Sequence, residues 1–250
     1  MQAKDGGICR IKLPCGRLDV DQAERIARAA LQHAGGVIEA TNRGNLQIRG
    51  IRAGNEDALI GELLDAGLGP STPGADDVRN LMVSPAAGVD PQALVDISPL
   101  AAELLATLEN TPRLHALSPK FALLLDGGER LAMLEHPHDI WLCALPLEEG
   151  VGYAFGLAGC PPVSANDAPA LAIVPAAQAH ALIIALLDLF LELAKPEQTR
   201  MRHLLENHSP ADLLQRLQER LGDALLPTGD WRRAPAQDNA HLGVHAQRQP

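Results

Sequence analysis

Residues 41–50 read Thr41-Asn42-Arg43-Gly44-Asn45-Leu46-Gln47-Ile48-Arg49-Gly50, TNRGNLQIRG. Side chains alternate along a strand with period two. Asn45, Gln47 and Arg49 therefore share one face, while Leu46 and Ile48 share the other. One face packs, and the opposite face offers two amides and a cation. Residues 8–13, Ile-Cys-Arg-Ile-Lys-Leu, repeat the design, with Arg10 and Lys12 opposite Cys9, Ile11 and Leu13. Pro14 and Gly16 close that strand. Between the two lies a helical pattern from roughly Asp21 to His33, with Ala23, Ile26, Ala27, Ala30 and Leu31 at helical spacing and Gly35-Gly36 as the stop. Strand, helix, a hairpin (Val37–Thr41, then Asn45–Ile48) and a second helix near Glu56–Ala66 form a small α+β layer. Its sheet buries one face on the helices and turns a basic face to a ligand.

Composition narrows the ligand. The 250 residues are 46% hydrophobic and carry a formal charge of −10, which argues against a general nucleic-acid surface. Six aromatics make a poor set of base-stacking platforms. Residues 1–53 hold nine Lys/Arg against five Asp/Glu, +4, so the remainder carries −14. A basic module in an acidic chain points to a small polyanion. MQAKDGG at the start has no apolar signal region, and the most apolar stretch, Ala181–Ala194, is interrupted by Asp188 and Glu192 and reads as a buried helix. Cys9, Cys15, Cys143 and Cys160 read as free thiols of a reducing cytoplasm, with no membrane partner expected.

Residues 69–75, GPSTPGA, mark a boundary. Beyond it strands are expected at Val78–Ser84, Lys120–Asp126, Ile140–Leu145, Gly152–Leu157 and Leu171–Val174. Helices are expected at Pro99–Glu109 (capped by Ser98), Ala176–Leu193, Gln198–Asn207 and Ala211–Leu221. Residues 223–240 read as linker, and His241–Val244 as the start of another strand.

The chemistry-bearing set is Arg10, Lys12, Arg43, Gln47, Arg49, Arg79, Asn80 and Lys120. Arginine forks bind carboxylates bidentately and lysine adds a point charge, so their convergence would suit a polycarboxylate. Cys9 and Cys15 have C-x5-C spacing, but no second compact pair accompanies them. His136 and His138 straddle Pro137 in a polar loop, and His241 and His245 bracket the terminal strand. Neither pair has a nearby third ligand, so no metal site is assigned. No Ser/His/Asp arrangement, phosphate loop or dinucleotide fingerprint is present, and no catalytic residue is assigned.

The ordered set ICRIKLPCG, TNRGNLQIRG, DDVRNLMVSPAAGVD, SPKFALLLDGG, QTRMRHLLENH and HLGVHAQ resembles the nitrite/sulfite reductase superfamily, and GGVIEATNRGNLQIRG is most similar to its precorrin-3B synthase branch. The resemblance implies an α+β fold: a ferredoxin-like half-domain (1–68), an α/β haem-binding-type domain (71–222), a linker (223–240) and a truncated second half-domain beginning at 241–250. It also implies that Arg10, Arg43, Arg79 and Lys120, with Gln47 and Asn80 beside them, bind the carboxylates of a tetrapyrrole. The reductases usually carry a second lysine two residues after the one matched by Lys120. Here that position is Ala122. The expected activity is hydroxylation of precorrin-3A with lactone formation, using a 4Fe-4S cluster, iron, oxygen and NADH-derived electrons. The family's cluster cysteines fall outside this chain, which reads as an N-terminal fragment, inactive by itself. The alternatives are a fragment of a sirohaem-dependent nitrite or sulfite reductase, or a non-enzymatic tetrapyrrole-binding half-protein.

Overall fold

The computed structural model describes residues 2–4, 6–72, 74–235 and 243–248. The N-terminal unit is an antiparallel sheet in the order β1-β2-β4-β3, made of β1 (Gln2–Ala3), β2 (Gly6–Ile11), β3 (Val37–Ala40) and β4 (Leu46–Ile51). Helices α1 (Val20–His33) and α2 (Glu56–Asp65) complete it. Asp19 caps α1 by accepting from the Gln22 N–H at 2.7 Å, while Gln22 accepts from the Asp19 N–H. Ile11, Ile48 and Ile51 from the sheet meet Ile26, Ala30, Leu59 and Leu63 from the helices.

The buried stripe of α1 is Ile26, Ala29, Ala30 and His33, which corrects the expected one. Ala23 and Ala27 are exposed, and Leu31 is 70% exposed. The expected stripe ended at Leu31; His33 extends the buried one, its ring pairing with Glu62 of α2 at 3.1 Å, so the stripe runs 26, 29, 30, 33.

The second unit holds a five-stranded sheet in the order β5-β6-β7-β8-β9. Its strands are β5 (Leu81–Val83), β6 (Leu123–Asp126), β7 (His138–Pro146), β8 (Val151–Gly159) and β9 (Ala172–Pro175). β5, β6 and β7 are parallel, and β8 and β9 return antiparallel. The continuous apolar runs of β6 and β7 follow from burial on both faces. One face packs on α3 (Ser98–Asn110), α4 (Ala179–Leu193), α5 (Met201–Leu204) and α6 (Pro210–Leu221). Leu182, Ile183, Leu186 and Phe190 seat α4 in that core.

The other face, built on Leu124, Trp141, Cys143 and Ile173, is covered by the segment read as linker. Leu226 exchanges two backbone hydrogen bonds with Ile173 (2.8 and 2.9 Å), Trp231 packs on the apolar face, and Arg233 grips Asp126. Residues 222–235 are thus a docked strap.

Three other expectations change. Ala75–Val78 is a 3-10 turn and β5 starts only at Leu81, because Asp76 accepts from Arg79 and the Asp77 carbonyl accepts from the Asn80 amide. Ser98 lies inside α3, and Asp96 accepts from its N–H at 2.9 Å. Of 198–207 only Met201–Leu204 is α-helical, Gln198 being engaged by the Lys195 N–H and the His203 carbonyl. The strand expected at His241–Val244 begins outside the described residues. Arg248 bonds the Val89 and Ala93 carbonyls at 2.8 Å each, laying 243–248 against the second unit.

Candidate functional site

The starts of the three parallel strands lie side by side, with polar residues at or just before each: Arg79-Asn80 before β5, Lys120 before β6, and His138-Asp139 opening β7. Backbone bonds from the Leu123 N–H to the Asn80 carbonyl (2.9 Å) and from the Asp139 N–H to the Ala122 carbonyl (2.8 Å) hold them level. Asp139, 2% exposed, fixes this edge. Its carboxylate accepts from the Ala122 N–H (2.8 Å), the Met201 N–H (2.8 Å) and Arg200 Nε (2.9 Å).

The N-terminal unit brings the β3–β4 hairpin loop against this edge. The Thr41 hydroxyl accepts from the Asn45 N–H (3.2 Å), and Asn45 Oδ1 accepts from the Leu13 N–H (2.9 Å). Gly44 turns the loop with φ of +67°, a conformation that favours glycine. The units are tied where Lys12 donates to the Asp76 carbonyl and Arg17 to the Ala87 carbonyl. Burial holds the Lys12 amine below its usual range despite the attraction of Asp76 and Asp77.

A small cleft results, walled by Arg43, Asn45, Arg79, Asn80, Ala122 and His138, with Leu81 and Met82 of β5 also lining it. The two arginines differ. Arg79 is 8% exposed and already compensated, with Asp76 at 2.8 Å and Glu109 at 3.5 Å. Arg43 is half-buried, and its guanidinium has no hydrogen-bond or ion-pair partner among the described residues. Asn80 donates its amide to the Asp77 and Pro119 carbonyls (2.7 and 2.9 Å), so it braces the edge.

His138 is the polar group that the sequence reading left aside. It is 2% exposed, and neither ring nitrogen has a partner among the described residues. Burial first, then repulsion from His136, Arg43 and Arg200, lowers its pKa to about 4, so the ring is neutral. An unsatisfied buried polar group costs about 1–3 kcal/mol. The signal for it was the apolar run beginning immediately after Asp139, which makes His138 a strand start rather than a loop residue.

Of the six residues expected to bind carboxylates, Arg43, Arg79 and Asn80 line the cleft; Arg10, Gln47 and Lys120 do not. Arg10 is exposed and lies directly across from Gln47 on the sheet. Gln47 donates to Glu39, its opposite neighbour on β3, and Arg49 pairs with the same carboxylate at 3.5 Å. Lys120 is exposed just before β6.

The thiols do not fit a 4Fe-4S cluster. Cys9 and Cys15 are half-buried in the first unit, Cys143 is fully buried within β7, and Cys160 is exposed after β8. Burial pushes all four thiols up, against the thiolate form a cluster needs. Among the described residues no group of three or more His, Cys, Asp or Glu could hold a metal ion.

Comparison with known proteins gives two family matches. Residues 1–66 match the nitrite/sulfite reductase ferredoxin-like half domain, and residues 74–225 match the nitrite and sulphite reductase 4Fe-4S domain. The chain is 31% identical over 159 residues to a precorrin-3B synthase of Sinorhizobium sp, covering 64% of this chain and 34% of that protein. It is 28% identical over 260 residues to the chloroplastic ferredoxin–nitrite reductase of Zea mays, covering 96% of this chain and 44% of that one. The chain thus spans less than half the length of these curated relatives. The solved NirA protein of Mycobacterium tuberculosis superposes with a TM-score of 0.71 at 19% identity, covering 88% of this chain and 41% of that one, a likeness of fold. With more than half of its length matched by the larger domain, the chain belongs to the nitrite and sulphite reductase family.

Proposed function

We propose that this chain forms the tetrapyrrole-binding half of an oxidoreductase of the precorrin-3B synthase type, acting on precorrin-3A by hydroxylation and lactone formation. The observation that carries the reading is Arg43, a half-buried guanidinium without a partner among the described residues, in a cleft whose other cation is already neutralised. Arg43 would take one carboxylate of the macrocycle's fringe through its fork of donors. Asn80, Asp139 and Arg79 hold the edge that the macrocycle meets. Because the four thiols are dispersed, the role assigned to this chain is binding, and no redox step is placed on its residues. The 31% identity to a precorrin-3B synthase supports the substrate class.

A sirohaem-dependent nitrite or sulfite reductase is the second reading, favoured by an alignment across 96% of the chain. It sits less well with Ala122, which puts a methyl group in the cleft where the resemblance implies a cation for the inorganic anion. Calorimetric titration with uroporphyrin, an octacarboxylate tetrapyrrole, tests the leading reading. Arg43→Ala should weaken binding by about 1.5–3 kcal/mol, the scale of a charge-assisted hydrogen bond. Equal affinity of the two proteins would show that Arg43 is no part of a carboxylate clamp.

A further inference from the structure

We infer that His138 is a second binding residue of the same cleft, donating a ring N–H as a neutral imidazole to a carboxylate of the ligand that Arg43 holds. This rests on the tetrapyrrole reading and adds a residue to it. The grounds are geometric. His138 opens β7 in line with the starts of β5 and β6, lines the cleft with Arg43 and Arg79, and is 2% exposed with both ring nitrogens unpartnered among the described residues. The His136 backbone lies near enough to favour the charged ring, but it does not reach hydrogen-bond geometry. Asp139 is committed to Arg200, Ala122 and Met201. Asn80 Nδ2 is committed to the Asp77 and Pro119 carbonyls. His136 stands with its ring centroid 5.0 Å away and bonds the Pro137 carbonyl instead.

The surroundings also suit the donor role. Burial, then His136, Arg43 and Arg200, oppose a charged imidazolium. A neutral imidazole nevertheless keeps one N–H to give, and an arriving carboxylate accepts it without competing for Arg43's proton-rich fork. The ring nitrogens are covered in the free chain, so engagement requires the cleft to open beside His138.

The test uses the full chain and uroporphyrin. His138→Leu should weaken binding about tenfold, while His138→Gln, which restores an N–H donor, should stay within about threefold of wild type. Wild-type affinity in His138→Leu, with Arg43→Ala still weakened, would overturn the role of His138 and leave the tetrapyrrole reading standing. A wild-type chain that does not bind uroporphyrin would overturn both. Independently of how the variants fold, the nitrogen-15 titration of the wild-type ring should move to higher pH when uroporphyrin saturates the site, because a nearby carboxylate favours the charged imidazole. An unchanged midpoint in the saturated complex would also overturn the assignment.

Discussion

Replacing Glu129 by glutamine should make the protein more stable at neutral pH and remove part of its pH dependence. Glu129 is 1% exposed; Oε2 accepts from the Gly127 N–H at 2.9 Å, and Oε1 has no partner among the described residues. Burial, then the Asp126 carboxylate, raises its pKa from 4.5 to about 8. Arg233 binds the Asp126 carboxylate at 2.5 and 3.2 Å. Between those two pKa values the native state holds a proton that the unfolded chain has released. Stability from this group is therefore full below the lower value and falls as pH rises toward the upper one. At about 1.4 kcal/mol per pH unit, roughly 3 kcal/mol has been lost by about pH 7. Glutamine is neutral in both states and still accepts from the Gly127 N–H. Urea unfolding followed by tryptophan fluorescence should give a Glu129→Gln advantage under 1 kcal/mol at about pH 5, growing to about 3 kcal/mol at about pH 7. The difference between the two proteins is the quantity to read. His138, with its pKa lowered to about 4, contributes the opposite slope, stability lost as pH falls from about 6.5. A difference that stays constant across this range would refute a protonated Glu129.

Asp139→Asn should cost about 3 kcal/mol in urea unfolding, because it leaves Arg200 buried without its counter-ion while keeping the packing of β7. Gly156→Ala would place a Cβ 2.2 Å from Trp141 Cζ2, and overpacking of this kind costs about 1–3 kcal/mol. The near-ultraviolet circular dichroism of Trp141 should change with it, and an unchanged spectrum at wild-type stability would contradict the packing described. Anaerobic reconstitution with iron and sulfide should leave no stoichiometric cluster on the chain after desalting. Retention that is lost in Cys15→Ser and Cys160→Ser would show that the dispersed thiols do converge.

The α+β layering and the order of elements were legible because strands and helices differ in period. Leu46 and Ile48 on one side, and the apolar runs of β6 and β7, carry that information locally. Partnerships between elements were not local. The buried stripe of α1 ends at His33, whose partner Glu62 lies on α2, so the stripe depends on that pair. Gln47 and Arg49 looked free for a ligand, yet the hairpin register sets Glu39 directly beside Gln47, and its carboxylate occupies both. That much the hairpin's loop length could have revealed. Arg79 was legible as a cleft residue, but its neutralisation by Asp76 and Glu109 needed the tertiary fold. His138 was hidden because its strand is buried on both faces and so shows no alternation.

The strap has a consequence for synthesis. The five strands that it covers are all made before it, and the helices that dock on the opposite face are made before it as well. During translation the sheet can close on α3, α4 and α6 while Leu124, Trp141, Cys143 and Ile173 still face water. Apolar surface exposed in this way makes a nascent chain prone to association. A chain ended at residue 225 would keep that vulnerability permanently, because Leu226, Trp231 and Arg233 would be gone. The eleven residues 225–235, after α6 and its short 3-10 extension, thus act as a late-arriving cover for a sheet that is otherwise complete.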